Sequence, residues 1–144
     1  MDLKKILSIS GKSGLYQIVV QSKDRVIVES LLDRTRIPVY PTHKVSSLED
    51  ISIFTDSDEI PLKEVLKKIY TIENGGNAID PKSDSNALKA YMSKILPDYD
   101  QNKVYISDMK KLFAWYNSLL ENKLLSFEEK ESNQETEETS FEEQ

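Results

Sequence analysis

The triad Gly11-Lys12-Ser13 matches the end of a phosphate-binding loop. In such a loop, backbone N–H groups and the N-terminus of a following helix cradle the phosphates. The complete motif also needs a glycine five positions before Gly11, where Ile6 stands, and residues 14–20 read as a strand rather than a helix. A glycine-bearing strand connection is therefore the expected reading. Asp98-Tyr99-Asp100-Gln101-Asn102 has the opening spacing of an EF-hand calcium loop, but its sixth position is Lys103 instead of Gly and its twelfth is Met109 instead of a bidentate Glu. Asp and Asn after Pro97 suit an ordinary turn. His43 is the single imidazole, cysteine is absent, no G-x-S-x-G elbow occurs, and the paired carboxylates Glu49-Asp50 and Asp56 with Asp58 fall in turns. The expectation is a chain without catalytic residues, metal site or cofactor, and not an enzyme.

Binding chemistry is better represented. Lys12, Lys23, Arg25, Arg34 and Arg36 fall at the turns between predicted strands, with Tyr16 and Tyr40 in strands beside them. Small barrels bind single-stranded nucleic acid by combining cations along the phosphates with aromatic faces for the bases. The competing reading is a solvated basic rim with both tyrosines in the core. Six of the twelve aromatics, from Tyr91 to Tyr116, lie within twenty-six residues. Tyr105, Trp115 and Tyr116 make a candidate partner-docking patch, against the alternative that such rings fill the core.

The elements that would position these residues follow from periodicity. Residues 14–55 have strand character: Leu15 to Val20 and Arg25 to Leu32 form a hairpin, Arg36 to Tyr40 a third strand closed by Pro41, and Asp50 to Phe54 a fourth. Short strands in so little chain cannot bury two faces of a flat sheet, so closure into a small SH3-like barrel is expected. For residues 2–8 the pattern leaves a short helix or a first strand open. Beyond Ile60 the period becomes helical. Leu62, Val65, Leu66, Ile69 and Tyr70 share one face, with Pro61 before and Asn74-Gly75-Gly76 after. Leu88, Tyr91, Met92, Ile95 and Leu96 share another, ended by Pro97, and a third helix is expected after Ser107 as N-cap, with Val104-Tyr105-Ile106 extended before it.

The chain has 144 residues and a formal net charge of −6, unevenly spread. Residues 128–144 hold eight Glu and one Lys, a balance of −7, while residues 1–45 carry +4 and residues 46–127 carry −3. The acidic segment has only Phe141 as a large apolar residue and is expected to be disordered. Without cysteine there is no disulfide framework, thiol nucleophile or zinc finger. No long apolar run and no apolar leader near the N-terminus are present, so a cytoplasmic protein without a membrane partner is expected.

The segments Ile9 to Tyr16, Val28 to Leu32, Ser46 to Ile53, Leu96-Pro-Asp-Tyr-Asp100, Val104-Tyr-Ile-Ser-Asp108 and Trp115-Tyr-Asn117 resemble an uncharacterised family of small cytosolic proteins found across the Bacteroidetes. The resemblance covers residues 1 to about 127. It implies an N-terminal barrel-like domain followed by a small helical domain, and supplies no activity, cofactor or site residues.

The combined expectation is an α+β chain: an SH3-like barrel over residues 1–57, three helices over 58–127 and an acidic tail over 128–144. Its function is expected to be non-enzymatic binding of RNA or another polyanion on the basic barrel face, with the tail modulating access. The alternative is a protein-interaction adaptor using the barrel groove or the patch around Trp115. The oligomeric state is left open.

Overall fold

The computed structural model describes residues 3–125 apart from Ser13 and Pro41, so the segment 128–144, expected to be disordered, lies outside the described residues. A 3-10 turn at Leu3–Lys5 leads into β1 (Ile6–Ile9), which is followed by β2 (Tyr16–Gln21), β3 (Val26–Ser30), β4 (Arg36–Val39) and β5 (Val45–Ser47). These strands form one antiparallel sheet in the order β4-β3-β2-β1-β5. Then come β6 (Ser52–Phe54), β7 (Glu59–Pro61), α1 (Leu62–Ile72), α2 (Ser85–Ile95) and α3 (Ile106–Glu121).

Alternation along the strands gives the sheet two apolar faces. Leu7, Ile9, Tyr16, Val28 and Val39 cluster on one face, with Ile18, Val26, Ile37 and Val45 packed against them. Cross-strand partners such as Leu7 with Tyr16 and Val28 with Ile37 stand on this face. The other side joins the main core, where Ile6, Leu15, Leu31 and Leu48 meet the buried faces of all three helices.

The expected barrel does not close: among the described residues β4 and β5 are edges that do not pair with each other. A flat five-stranded sheet would hold these edges about 19 Å apart, at about 4.8 Å per strand. Yet only residues 40–44 connect them, and His43 N donates to the Tyr40 carbonyl at 2.9 Å, folding that link back. The sheet must therefore curl, helped by the bulge between Ile18 and Val20 in β2. Closure is unnecessary because the helices cover the outer face. The expected fourth strand is not part of this sheet either. Its core, β6, pairs with β7, across a turn in which Thr55 N donates to the Asp58 carbonyl at 2.8 Å.

The helices bury the faces their spacing predicts. Leu62, Val65, Leu66 and Ile69 of α1 are buried, as are Leu88, Met92 and Ile95 of α2, whereas Tyr70 stays exposed. Asp84 caps α2 by accepting from Ala87 N at 2.8 Å. On α3 the buried face is Met109, Leu112, Phe113, Tyr116 and Leu119. Phe113 is fully buried, worth about 1.5–3 kcal/mol by area, and stands edge-on to Tyr91 at 5.1 Å between ring centroids. The start of α3 differs from expectation: Tyr105, not Ser107, is the N-cap, because the Asp108 carboxylate accepts from Tyr105 N at 2.9 Å while Asp108 N donates back to the Tyr105 carbonyl at 3.0 Å. Ile106 is consequently helical rather than extended.

Candidate anion-binding cleft

Gly11 and Gly14 both adopt positive φ, +83° and +76°, a conformation that L side chains rarely take. They build the tight connection from β1 to β2, in which Lys12 N donates to the Ile9 carbonyl at 3.0 Å. Since this connection joins two antiparallel strands, Gly11-Lys12 does not open a helix and is not a nucleotide-binding P-loop. The connection faces α3 instead. Between them lies a cleft of about 790 Å³ with Lys12, Lys82, Lys110, Lys111 and Trp115 in its walls.

Each wall is held by identifiable contacts. Lys110 and Lys111 stand on α3, one turn before Ala114 and Trp115, which also line the cleft. Lys82 comes from the loop between α1 and α2. That loop is fastened to α3 twice: Tyr116 Oη donates to the Gly76 carbonyl at 2.8 Å, and the Asn117 amide oxygen accepts from Ala78 N at 2.7 Å. Tyr91 Oη adds a 2.5 Å hydrogen bond to the Glu73 carboxylate at the start of the same loop. Burial pushes the Tyr116 hydroxyl pKa up to about 12, with Tyr70 and Glu73 adding to it, and burial followed by the Glu73 bond also raises that of Tyr91.

Among the described residues no carboxylate lines the cleft, and none of its four lysines is in an ion pair. Unpaired like charges around a concave surface focus a positive potential. Seryl hydroxyls from Ser8, Ser10 and Ser118 supply further hydrogen-bonding groups, and the half-buried Trp115 supplies a flat apolar one.

The residues expected from sequence to bind nucleic acid do not form one face. Lys12 enters the cleft. Lys23 and Arg25 sit at the β2–β3 turn, around a hollow of about 340 Å³ that also includes Tyr40 and His43. Arg34 and Arg36 are both committed to Glu29, at 3.2 and 3.0 Å, and these two guanidiniums hold its carboxyl below the usual range. Arg34 is further hydrogen-bonded to the Asn122 side-chain oxygen. Tyr16 is buried among the aliphatic side chains of the sheet, so it offers no face for a base. Of the proposed docking patch, Tyr116 is fully buried and drops out, whereas Tyr105 is 63% exposed and Trp115 lies at the cleft.

Sequence reasoning missed Lys82, Lys110 and Lys111. The signal for the last two was present: Lys111 and Trp115 are spaced i, i+4, on one side of a helix. Lys82 left no such signal, because a loop contact forty residues away brings it to α3. The Asp98–Asn102 segment is a turn, with Asn102 N donating to the Asp100 carboxylate at 2.9 Å, and among the described residues no group of three or more His, Cys, Asp or Glu could hold a metal ion. Among the described residues no helix is long and apolar enough to cross a membrane.

Comparison with other proteins places this architecture. Residues 3–48 match the family described as Domain of unknown function DUF5606, and residues 51–119 match Domain of unknown function DUF6852. No curated protein matches the chain. A solution NMR structure of a protein from Bacteroides vulgatus, a structural genomics target, is 41% identical, covers 94% of this chain and 99% of its own, and superposes with a TM-score of 0.70. By that identity over nearly the whole of both chains, and by the two adjoining matches, this chain belongs to a Bacteroidetes family of unknown function in which DUF5606 is followed by DUF6852.

Proposed function

We propose that this chain is a non-enzymatic, cytoplasmic binding module that takes a polyanion, RNA among the candidates, in the cleft between the β1–β2 connection and α3. The observation that carries the reading is the convergence of four lysines, from three separate stretches of chain, on a cleft in which, among the described residues, they have no ion pair and meet no carboxylate. Their mutual repulsion is relieved when an anion enters. The curled sheet, whose two edges are drawn together by residues 40–44, serves as an opened SH3-like support for the Gly11–Gly14 connection. Residues 128–144, with their balance of −7, compete for the same lysines and lower the apparent affinity.

Trp115 is the single tryptophan, so its fluorescence reports on the cleft directly. Short polyphosphate and oligouridylate are titrated into the full chain and into a chain ending at Phe127. Binding is expected to weaken with salt, with a log–log slope of roughly −3 for a single strand contacting four lysines. Lys110→Glu with Lys111→Glu is expected to abolish it. Absence of any fluorescence change at low salt in both chains overturns the reading.

A further inference from the structure

Lys111 and Trp115 belong to two concavities at once. Besides the lysine cleft they line a second hollow of about 180 Å³, walled by Ile51, Ile53, Phe54 and Val104 together with Lys103 and with Asp108, whose carboxylate accepts from Tyr105 N. Phe54, at the end of β6, is 44% exposed, and Lys103 Nζ lies 5.0 Å from the centroid of its ring. A single exposed aromatic is unremarkable on any protein. Its position is informative here, because the path from the lysine cleft passes Trp115, crosses a mainly apolar hollow with Asp108 and Lys111 at its wall, and ends on a second ring attended by a cation.

Different polyanions would use this path differently. Inorganic polyphosphate or an acidic peptide needs only the lysines and gains nothing from Phe54. A single strand alternates charged phosphates with flat apolar bases, and base stacking on aromatic rings tolerates any sequence. We propose that the ligand is single-stranded nucleic acid, with its phosphates over the lysines of the cleft, one base against Trp115 and another on Phe54. This rests on the cleft being the anion site and adds the identity of the anion.

The test uses the full chain, Phe54→Ala and Phe54→Tyr, with oligouridylate, oligothymidylate, polyphosphate of matching charge and an oligoglutamate, followed by Trp115 fluorescence. Phe54→Ala is expected to weaken both oligonucleotides roughly tenfold and to leave polyphosphate unchanged. Phe54→Tyr, which keeps the stacking ring and controls for folding, is expected to bind like the original. Equal weakening of all ligands by Phe54→Ala, or none, overturns the proposal while leaving an anion site. Preference for oligoglutamate over the oligonucleotides overturns it in favour of an acidic peptide. Failure of every anion to bind at low salt removes the anion site and the proposal together. A preference between the two oligonucleotides separates RNA from DNA within the proposal and supports it.

Discussion

The hydroxyl of Tyr116 donates a 2.8 Å hydrogen bond to the carbonyl of Gly76, forty residues earlier in the chain, and the next residue on α3, Asn117, accepts from Ala78 N at 2.7 Å. Consecutive residues of one helix thus hold the loop that carries Lys82 into the cleft. A core tyrosine and a surface lysine are linked through that loop.

Tyr116→Phe keeps the buried ring and removes only the bond to Gly76. It is expected to cost about 1 kcal/mol, read by urea denaturation. Asn117→Ala leaves the N–H of buried Ala78 without its acceptor and is expected to cost about 1–3 kcal/mol. Both variants are expected to weaken polyanion binding by releasing Lys82, and a Lys82→Ala background should cancel that second effect. If binding weakens as much in the Lys82→Ala background, the loop does not act through Lys82.

The same tyrosines set an alkaline limit. Tyr116 titrates near 12 in the folded chain and Tyr91 is also raised, whereas an unfolded tyrosine titrates near about 10. The folded state therefore holds these protons more tightly. The contribution of Tyr116 is complete below about pH 10 and is lost as the pH rises toward 12, and that of Tyr91 declines over the same range. Thermal unfolding followed between pH 8 and pH 12, values of roughly neutral to strongly alkaline range, is expected to show a fall in Tm that flattens when Tyr91→Phe and Tyr116→Phe are combined. An unchanged pH profile in the double variant would assign the alkaline loss to other groups.

Gly11 and Gly14 share a positive φ but not an environment. A Cβ on Gly11 meets nothing within 4 Å, while one on Gly14 comes 2.6 Å from Leu32 Cδ1. Leu32 is 65% exposed, so its side chain has room to move away. Backbone strain then dominates at both positions, and Gly11→Ala and Gly14→Ala are each expected to cost about 1–2 kcal/mol in denaturant unfolding. A much larger loss at Gly14 alone would show that the Leu32 contact is rigid.

Removal of residues 128–144 is expected to strengthen polyanion binding at low salt and to matter less as salt rises, because the competition is electrostatic. Titrations of the full chain and the chain ending at Phe127 across ionic strength measure this. Equal affinities at low salt would mean that the acidic segment does not reach the lysines.

Local patterns were legible where a short stretch of chain carries the whole cause. The i, i+3, i+4 spacing of Leu62, Val65, Leu66 and Ile69 places one helical face in the core because 3.6-residue periodicity needs no distant information. The β2–β3 hairpin and the stop at Pro97 were equally local. The start of α3 was harder, since Ser107 is a better cap by type than Tyr105, yet the Asp108 side chain reaches back and shifts the boundary.

What residue order left undecided depends on pairings distant in the chain. Whether the sheet closes depends on what covers its outer face, and the helices supply that cover through contacts between Leu15 or Leu48 and the helical core. Arg34 and Arg36 read as free cations along the chain, but strand register places Glu29 opposite Arg36, and the β3–β4 turn brings Arg34 to the same carboxylate. Lys12, Lys82, Lys110 and Lys111 are ordinary surface lysines in the sequence and become one cleft only because antiparallel pairing, a fastened loop and helix packing bring their segments together. Charge type and periodicity are properties of neighbours in the chain, whereas a binding site is a property of neighbours in space, which only the packed core selects.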